Sequence, residues 1–135
     1  MEENTKIESK WDQGKKFDDG KVRLDLLSPV AIWALAKVLT HGAGTYGDRN
    51  WEQGIKYSRV FGAMLRHAWK WWWGETHCPK DGQHHLASVL ACAMFLIHYD
   101  LHHQKYEQFD DRVRDYKSWE ELEALMYSSK GESHG

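Results

Sequence analysis

The sequence predicts an all-α fold, a small helical bundle with a central helical hairpin and long irregular loops. Two observations support this prediction. Apolar residues recur at the three- and four-residue spacing of an amphipathic helix in three segments of the chain. Residues that typically cap helices stand at the starts of several of these segments, and we find no segment with the alternating pattern of a strand.

The length of 135 residues favours one domain. Residues 1–16 are polar and rich in Lys and Glu, so we expect a flexible N-terminal arm. A single helical domain should follow over residues 17–127, and residues 128–135 should form a flexible tail.

The first helix is expected from about Pro29 to Thr40. Ser28 and Pro29 suit the N-cap and the first turn, and Gly42 is expected to stop the helix. Four apolar residues at helical spacing should form its buried face: Ile32, Leu35, Ala36 and Leu39. Residues 41–54 contain four glycines and are interpreted as a loop.

Residues 57–103 are interpreted as the helical hairpin. Ser58 is expected to cap its first helix, and its second helix should run from about Gln83 to His102. Beyond the hairpin, Ser118 and Glu121 form a capping box for a short helix that should end near Tyr127.

Composition and patterning exclude several classes of protein. The net charge of −2 and the lack of a basic run argue against binding of a nucleic-acid polymer. The longest apolar stretch, residues 86–97, is well short of the ~20 residues that cross a membrane. The N-terminus has no apolar stretch of a signal peptide. We therefore expect a cytoplasmic protein, or one of the host cytoplasm if the source is viral, with no membrane partner.

The closed end of the hairpin concentrates groups that can perform chemistry. His67 and His85 each stand on a helix stripe that is otherwise apolar, and Glu75 and Asp81 lie in the turn between them. Each histidine alone could be a buried residue satisfied by hydrogen bonds, whereas the pair with nearby carboxylates favours a functional site. Zinc would accept these histidines and carboxylates, and magnesium would prefer the carboxylates Asp25, Glu75 and Asp81.

Cations next to glycine turns and helix ends indicate phosphate recognition. They are Lys21, Arg23, Arg49, Arg66 and Lys70. Arg66 is favoured because it is adjacent to His67, while each of the others alone could be a solvated surface residue. The glycines at 42, 44 and 47 do not form a Walker loop, because the Lys-Ser/Thr ending is missing. Trp71, Trp72 and Trp73 cannot all face inward, so at least one should contact a planar ligand or another subunit.

Four ordered motifs resemble one family. They are Phe17-Asp-x-Gly-Lys-x-Arg-x-Asp-Leu-Leu-x-Pro29, Gly42-Ala-x-x-Tyr-Gly-Asp-x-Asn-Trp-x-x-Gly54, Arg66-His67 with Gly74-Glu75, and Gly82-x-x-His-Leu-Ala87. Together they look like the phage dATP/dGTP diphosphohydrolase N-terminal domain family over roughly residues 15–100. The resemblance implies an all-α relative of the MazG-type pyrophosphatases that cuts a (deoxy)purine triphosphate into a monophosphate and pyrophosphate.

On this hypothesis, the residues divide into three roles. The catalytic residues are His67, Glu75 and His85, and the metal ligands are Asp25, Glu75 and Asp81. Mg²⁺ is the expected cofactor, with Mn²⁺ or Zn²⁺ as alternatives. The substrate-binding residues are Lys21, Arg23, Tyr46, Arg49, Asn50, Trp51, Arg66 and Lys70, of which Tyr46 and Trp51 should stack on the base. The expected partners are a purine nucleotide or a nucleotide-derived molecule and further copies of the chain in a homo-oligomer.

The sequence departs from the resemblance in the catalytic half of the site. Cys78 and Lys80 occupy turn positions where the family carries acidic residues, and the paired carboxylates of MazG-type enzymes are missing from both central helices. The alternative hypothesis is therefore a protein that binds a nucleotide or a nucleotide signal without hydrolysing it, for instance to sequester a host defence messenger.

Overall fold

The computed structural model describes residues 14–17, 19–114 and 118–132 and has an all-α fold, as predicted. Five α-helices follow one another in these ranges: α1 Pro29–Tyr46, α2 Tyr57–Trp72, α3 His85–Leu101, α4 His103–Tyr106 and α5 Trp119–Glu132. Within these ranges no strand occurs, and His77 and His84 form one isolated antiparallel bridge. Most of the predicted N-terminal arm and the last three residues of the predicted tail lie outside the described residues.

Helix α1 begins as predicted but ends later. The Ser28 Oγ atom accepts a hydrogen bond from the Ala31 N–H at 3.2 Å, which caps the helix. The predicted stop at Gly42 is wrong, because the helix continues to Tyr46. A glycine inside a helix costs only about 1 kcal/mol, so neighbouring hydrogen bonds can carry the helix through it. The helix ends instead at Gly47, whose φ of 96° few other residues adopt.

The predicted buried face of α1 is also wrong. None of the four predicted residues is buried: Leu35 and Leu39 are half-buried, and Ile32 and Ala36 are exposed. Elsewhere on the helix, Val30 and Trp33 expose 80% and 73% of their surface. The helix packs on α3 without a second apolar layer from the described residues to cover its outer side. Apolar periodicity predicted the helix correctly. It did not predict that the described residues leave the outer side of the helix uncovered.

The helical hairpin is confirmed as α2 and α3, which pack against each other along their lengths. Ser58 does not cap α2, since that helix already begins at Tyr57. The Ser58 N–H and hydroxyl both donate to the Asp111 carboxylate, at 2.9 and 2.5 Å. The Asp111 carboxylate therefore satisfies one of the free N–H groups at the start of α2 from 53 residues away.

Helix α5 starts as the capping box predicts. The Ser118 Oγ atom accepts a hydrogen bond from the Glu121 N–H at 3.1 Å. The helix extends to Glu132, five residues beyond its predicted end at Tyr127. No helix in the described ranges is long and apolar enough to span a membrane.

Buried aromatic rings form most of the core. Tyr57 stacks on Tyr99 with ring centres 5.7 Å apart, and Tyr99 in turn meets Tyr106 at 4.6 Å. The Tyr99 hydroxyl donates to the Trp51 carbonyl at 2.5 Å, and the Tyr106 hydroxyl donates to the Glu52 carbonyl at 2.6 Å. Burial raises the pKa of Tyr99 to about 12, so this hydroxyl keeps its proton near neutral pH. The two bonds hold a short 3₁₀ helix, Asn50–Gln53, against the hairpin.

We expect Tyr99→Phe to lower the free energy of unfolding by about 1–2 kcal/mol, because it leaves the Trp51 carbonyl without its donor. Tyr57→Phe is the matched control. The Tyr57 ring is also buried, but its hydroxyl has no hydrogen-bond partner among the described residues, so its removal should be neutral or slightly stabilising. Urea unfolding of both variants measures the difference, and equal losses of stability would contradict this account.

Candidate functional site

A cleft of about 920 Å³ lies between the C-terminal half of α1, the segment that follows it and the inner side of α3. Four of the predicted substrate-binding residues line it: Tyr46, Arg49, Asn50 and Trp51. The α3 side supplies Ser88, Ala91 and Phe95, which occupy one stripe of the helix. His67 from α2 and Asp81 from the hairpin turn complete the polar part of the wall.

Behind this wall, the three predicted catalytic residues form one chain of hydrogen bonds. The Nδ1 atoms of His67 and His85 are 2.9 Å apart. The Nε2 atom of His85 lies 2.7 Å from Oε1 of Glu75. His85 is completely buried, whereas Glu75 is partly exposed and His67 reaches the cleft. Of the three, only His67 can touch a molecule bound in the cleft, so His85 and Glu75 would act through it.

The chain of bonds selects one pattern of protonation when both rings are neutral. An ionised Glu75 accepts a hydrogen bond, so His85 carries its proton on Nε2 and has a free lone pair on Nδ1. His67 then donates its Nδ1–H to that lone pair, which leaves the Nε2 atom of His67 unprotonated. This arrangement provides a hydrogen-bond acceptor and base on the ring that lines the cleft.

The hairpin turn holds these hydrogen-bonded side chains in place. Gly74 adopts a φ of 106° directly after α2 and turns the backbone so that Glu75 faces His85. The His85 N–H donates to the Thr76 carbonyl at 2.9 Å, which ties the start of α3 to the turn. Cys78 is buried and exchanges backbone hydrogen bonds with Gln83 and Gly82, so its position is structural.

Burial and neighbouring charges keep His67 neutral. Desolvation is the largest effect that lowers its pKa, followed by His85, Lys70 and Arg66, while Asp81 acts in the opposite direction. The net pKa lies below the ordinary histidine value of 6.5. His67 is therefore in its basic form at neutral pH.

The predicted cations are only partly brought to the cleft. Arg49 lines it and pairs with Glu52 at 2.5 Å. Arg66 and Lys70 are not lining residues, although both are close enough to lower the pKa of His67. Lys21 and Arg23 stand on the exposed segment before α1 and are not lining residues either.

The predicted metal ligands are not assembled into one cluster. Asp25 forms an exposed ion pair with Arg23 at 2.6 Å, and Glu75 bonds to His85. Across the described ranges, no three His, Cys, Asp or Glu side chains come together in a way that could hold a metal ion. These described residues therefore do not form a site that holds a metal ion through protein ligands alone.

Two charged lining residues, an arginine and an aspartate, were missed in the sequence. Arg59 lies in the first turns of α2, two turns before His67, and also borders a second hollow beside Gly54 and Phe109. Asp48 follows Gly47 in the loop motif and provides a second carboxylate in the lining, besides Asp81. Only the position of Asp48 within the loop motif could have indicated its place, while the sequence around Arg59 gives no such signal.

The three consecutive tryptophans do not line the cleft. Trp71, Trp72 and Trp73 expose 39%, 68% and 75% of their surface at the end of α2. These tryptophans therefore do not form a wall of this cleft. Their contact with another subunit stays a prediction.

Comparisons with known proteins agree with the motifs. Residues 11–112 match the family described as dATP/dGTP diphosphohydrolase, N-terminal. Over 84 residues the chain is 37% identical to a protein of Salmonella phage PMBT28 named dATP/dGTP diphosphohydrolase, which covers 62% of this chain and 29% of the relative. The chain thus spans under a third of the length of that relative. No solved structure matches the chain significantly.

Proposed function

Because the chain belongs to the dATP/dGTP diphosphohydrolase N-terminal family, we propose that it hydrolyses a purine (deoxy)nucleoside triphosphate to a monophosphate and pyrophosphate. The observation that carries the proposal is the series of hydrogen bonds from Glu75 through buried His85 to His67, which lines a cleft large enough for a nucleotide. Buried histidine–carboxylate chains of this kind orient a base toward a reacting group.

His67 would act as the general base. Its free Nε2 atom accepts a proton from a water molecule in the cleft as that water attacks the α-phosphorus of the substrate. The bond from the α-phosphorus to the bridging oxygen breaks, and pyrophosphate leaves. His85 and Glu75 hold the ring in position and stabilise the positive charge that His67 gains.

The cleft offers a surface to each part of the nucleotide. Tyr46 is 72% exposed at the end of α1 and is available for stacking on the base. Trp51 lines the cleft with one ring face already packed on Phe95, 4.9 Å away, so it would form a fixed wall. Arg49 and Arg59 supply positive charge for the phosphates.

We expect Arg59→Ala to raise KM by about 10-fold, with a smaller change in kcat, since a charge-assisted contact to phosphate contributes about 1.5 kcal/mol or more. Arg66→Ala is the matched control on the same helix, because Arg66 does not line the cleft. Steady-state kinetics on both variants measure the difference. A KM that rises for Arg66→Ala and not for Arg59→Ala would place the phosphates elsewhere.

A divalent metal is part of the proposal, with Mg²⁺ favoured over Mn²⁺ or Zn²⁺. Mg²⁺ is often bound by one or two carboxylates together with the phosphates of a substrate, and Asp48 and Asp81 line the cleft. The ion would neutralise phosphate charge when it arrives with the triphosphate. A homo-oligomer and a place of action in the host cytoplasm, where nucleoside triphosphates occur, complete the proposal.

One observation favours a second candidate, binding of a nucleotide or nucleotide signal without hydrolysis. The described residues contain no three-ligand metal cluster, which many phosphate-cleaving enzymes use. In that case the cleft would hold the nucleotide through the same arginines and aromatic rings, and His67 would serve as a hydrogen-bond acceptor.

One assay distinguishes the two candidates. The purified chain is incubated with a panel of dNTPs and NTPs in the presence of Mg²⁺ or Mn²⁺. Chromatography follows the monophosphate and pyrophosphate. Release of pyrophosphate from a purine triphosphate that stops with EDTA is the result expected for the hydrolase. Intact nucleotides that raise the Tm of the protein would support the binding protein. If neither effect is observed, both candidates are refuted.

The pH dependence should reflect the neutral state of His67. Because its pKa lies below 6.5, kcat/KM should stay constant as the pH falls to 6.5 and decline only at lower pH, where the base is protonated. The same shift affects stability, since the unfolded chain binds this proton more readily than the folded one. The contribution of His67 to stability is complete above pH 6.5 and decreases as the pH falls below that value. An acid limb above 6.5 in a kcat/KM profile would exclude His67 as the base.

A further inference from the structure

A second hollow of about 510 Å³ lies between residues 54–59 at the start of α2 and the 3₁₀ helix Glu107–Phe109. Six residues line it: Gly54, Ile55, Lys56, Arg59, Gln108 and Phe109. Ile55 and Arg59 also line the cleft, so the two spaces share a border at these residues. A molecule bound in the cleft would reach the second hollow by passing Arg59.

The charged side chains that line the second hollow are both positive. Lys56 and Arg59 are exposed, and neither forms an ion pair within 4.0 Å with another described residue. The pKa of Asp111 is lowered mainly by its hydrogen bonds to Ser58 and less by the charge of Lys56. Gln108 adds a side-chain amide that can donate to an oxygen atom. Two cations and an amide donor around one space suit the oxygen atoms of a phosphate.

The wall of the second hollow opposite the cations is held firmly. Gly54 packs so closely on the Phe109 ring that an added Cβ atom would stand 2.1 Å from it. Phe109 packs against the core cluster. The carboxylate of the next residue, Asp110, is 1% exposed and accepts hydrogen bonds from His103 and Arg112. The hollow therefore has its shape before a ligand arrives, so binding loses little free energy in ordering it.

The position of the second hollow relative to His67 suits the proposed reaction. Displacement at phosphorus is roughly in line, so the attacking water and the leaving pyrophosphate lie on opposite sides of the α-phosphorus. Arg59 precedes His67 by eight residues on α2, about 12 Å along the helix axis. An α-phosphorus between them would have its water beside His67 and its leaving group directed toward Arg59 and the second hollow.

We infer that the second hollow binds the β- and γ-phosphates of the substrate, with Lys56 and Arg59 as charged ligands and Gln108 as a hydrogen-bond donor. This inference rests on the proposed function. As the water oxygen bonds to the α-phosphorus and His67 takes the proton, the bridging oxygen leaves with the electron pair. The negative charge then grows on the pyrophosphate, where the two cations stabilise it. Inorganic pyrophosphate should therefore bind the free protein and compete with the triphosphate.

Isothermal titration calorimetry of the full chain with inorganic pyrophosphate, with and without Mg²⁺, tests the inference. Lys56→Ala should weaken pyrophosphate binding by about 10-fold, the loss of one charge-assisted contact. Lys37→Ala is the matched control, because Lys37 is an exposed lysine of α1 that lines neither space. A purine deoxynucleoside monophosphate has no β- or γ-phosphate, so Lys56→Ala should leave its affinity unchanged.

Gln108→Ala is a second variant that keeps the inference testable if Lys56→Ala has a lowered Tm. It removes the amide donor and should also weaken pyrophosphate binding without weakening the monophosphate. Pyrophosphate that does not bind the unmodified chain, or that binds both variants as tightly as Lys37→Ala, would overturn the inference.

The same variants separate a failure of this inference from a failure of the proposed function. Pyrophosphate that binds through Lys56 in a chain that cleaves no triphosphate would support the phosphate site and refute only the hydrolysis. A chain that cleaves a triphosphate, with pyrophosphate inhibition equally strong in Lys56→Ala, Gln108→Ala and Lys37→Ala, would overturn the phosphate site alone.

Discussion

His67→Asn is expected to lower kcat by about 10²–10⁴-fold, the usual contribution of a positioned general base. The physical reason is that, among the described residues, His67 connects the cleft to buried His85 and through it to Glu75. Asparagine keeps a polar atom near the position of Nδ1 but cannot accept a proton from water at neutral pH. Nucleotide binding should survive, because the arginines and aromatic rings of the cleft are unchanged.

His77→Asn is the matched control for this prediction. His77 lies in the same hairpin turn and is exposed, and its ring contacts that of His84 without belonging to the cleft lining. Its replacement should leave kcat within about twofold of the unmodified chain. Pyrophosphate release in single-turnover assays measures both variants, with the Tm of each as a check on folding. A His67→Asn variant with full turnover would remove His67 from the mechanism.

Glu75→Gln separates positioning from a purely structural contact. A glutamine can donate to or accept from His85 but has no negative charge to stabilise a protonated His67. We therefore expect a lower kcat together with an acid limb of the pH profile that moves to lower pH, because protonated His67 loses a stabilising negative charge. An unchanged pH profile with a reduced Tm would mean that Glu75 only supports the turn.

The sequence predicted the part of the site that depends on local pattern. His67 and His85 stand on apolar stripes, and helical periodicity was sufficient to place both at the inner side of the hairpin near its turn. Glu75 joined them because the turn between the helices is short and ordered. The hairpin itself rests on the same local signals.

Local sequence patterns could not predict contacts between segments that are distant along the chain. The start of α2 is capped by Asp111, and the loop at Trp51 is held by Tyr99, in both cases about 50 residues away. The choice among cations failed for a related reason. Arg59 lines the cleft and Arg66 does not, although the two are seven residues apart and share a side of α2, so spacing within the helix could not distinguish them.

Gly54→Ala is expected to lower the free energy of unfolding by about 3 kcal/mol, the combined effect of overpacking and of a side chain at positive φ. A Cβ atom at this position would stand 2.1 Å from the Phe109 ring, and Gly54 has a φ of 107°. Phe109 packs against the core cluster, so a shift of its ring to make room would disturb that packing. The Tm should fall by about 10 °C or more in a domain of this size.

Gly74→Ala isolates the contribution of the ring. Gly74 has nearly the same φ, 106°, but nothing lies within 4 Å of its added Cβ atom. It should therefore cost only the backbone strain, about 1–2 kcal/mol. In a Phe109→Ala background, Gly54→Ala should fall to that smaller cost, because the clash is gone while the φ is unchanged. Thermal unfolding of the four variants completes the cycle, and a cost at Gly54 that does not depend on Phe109 would assign the whole effect to the backbone.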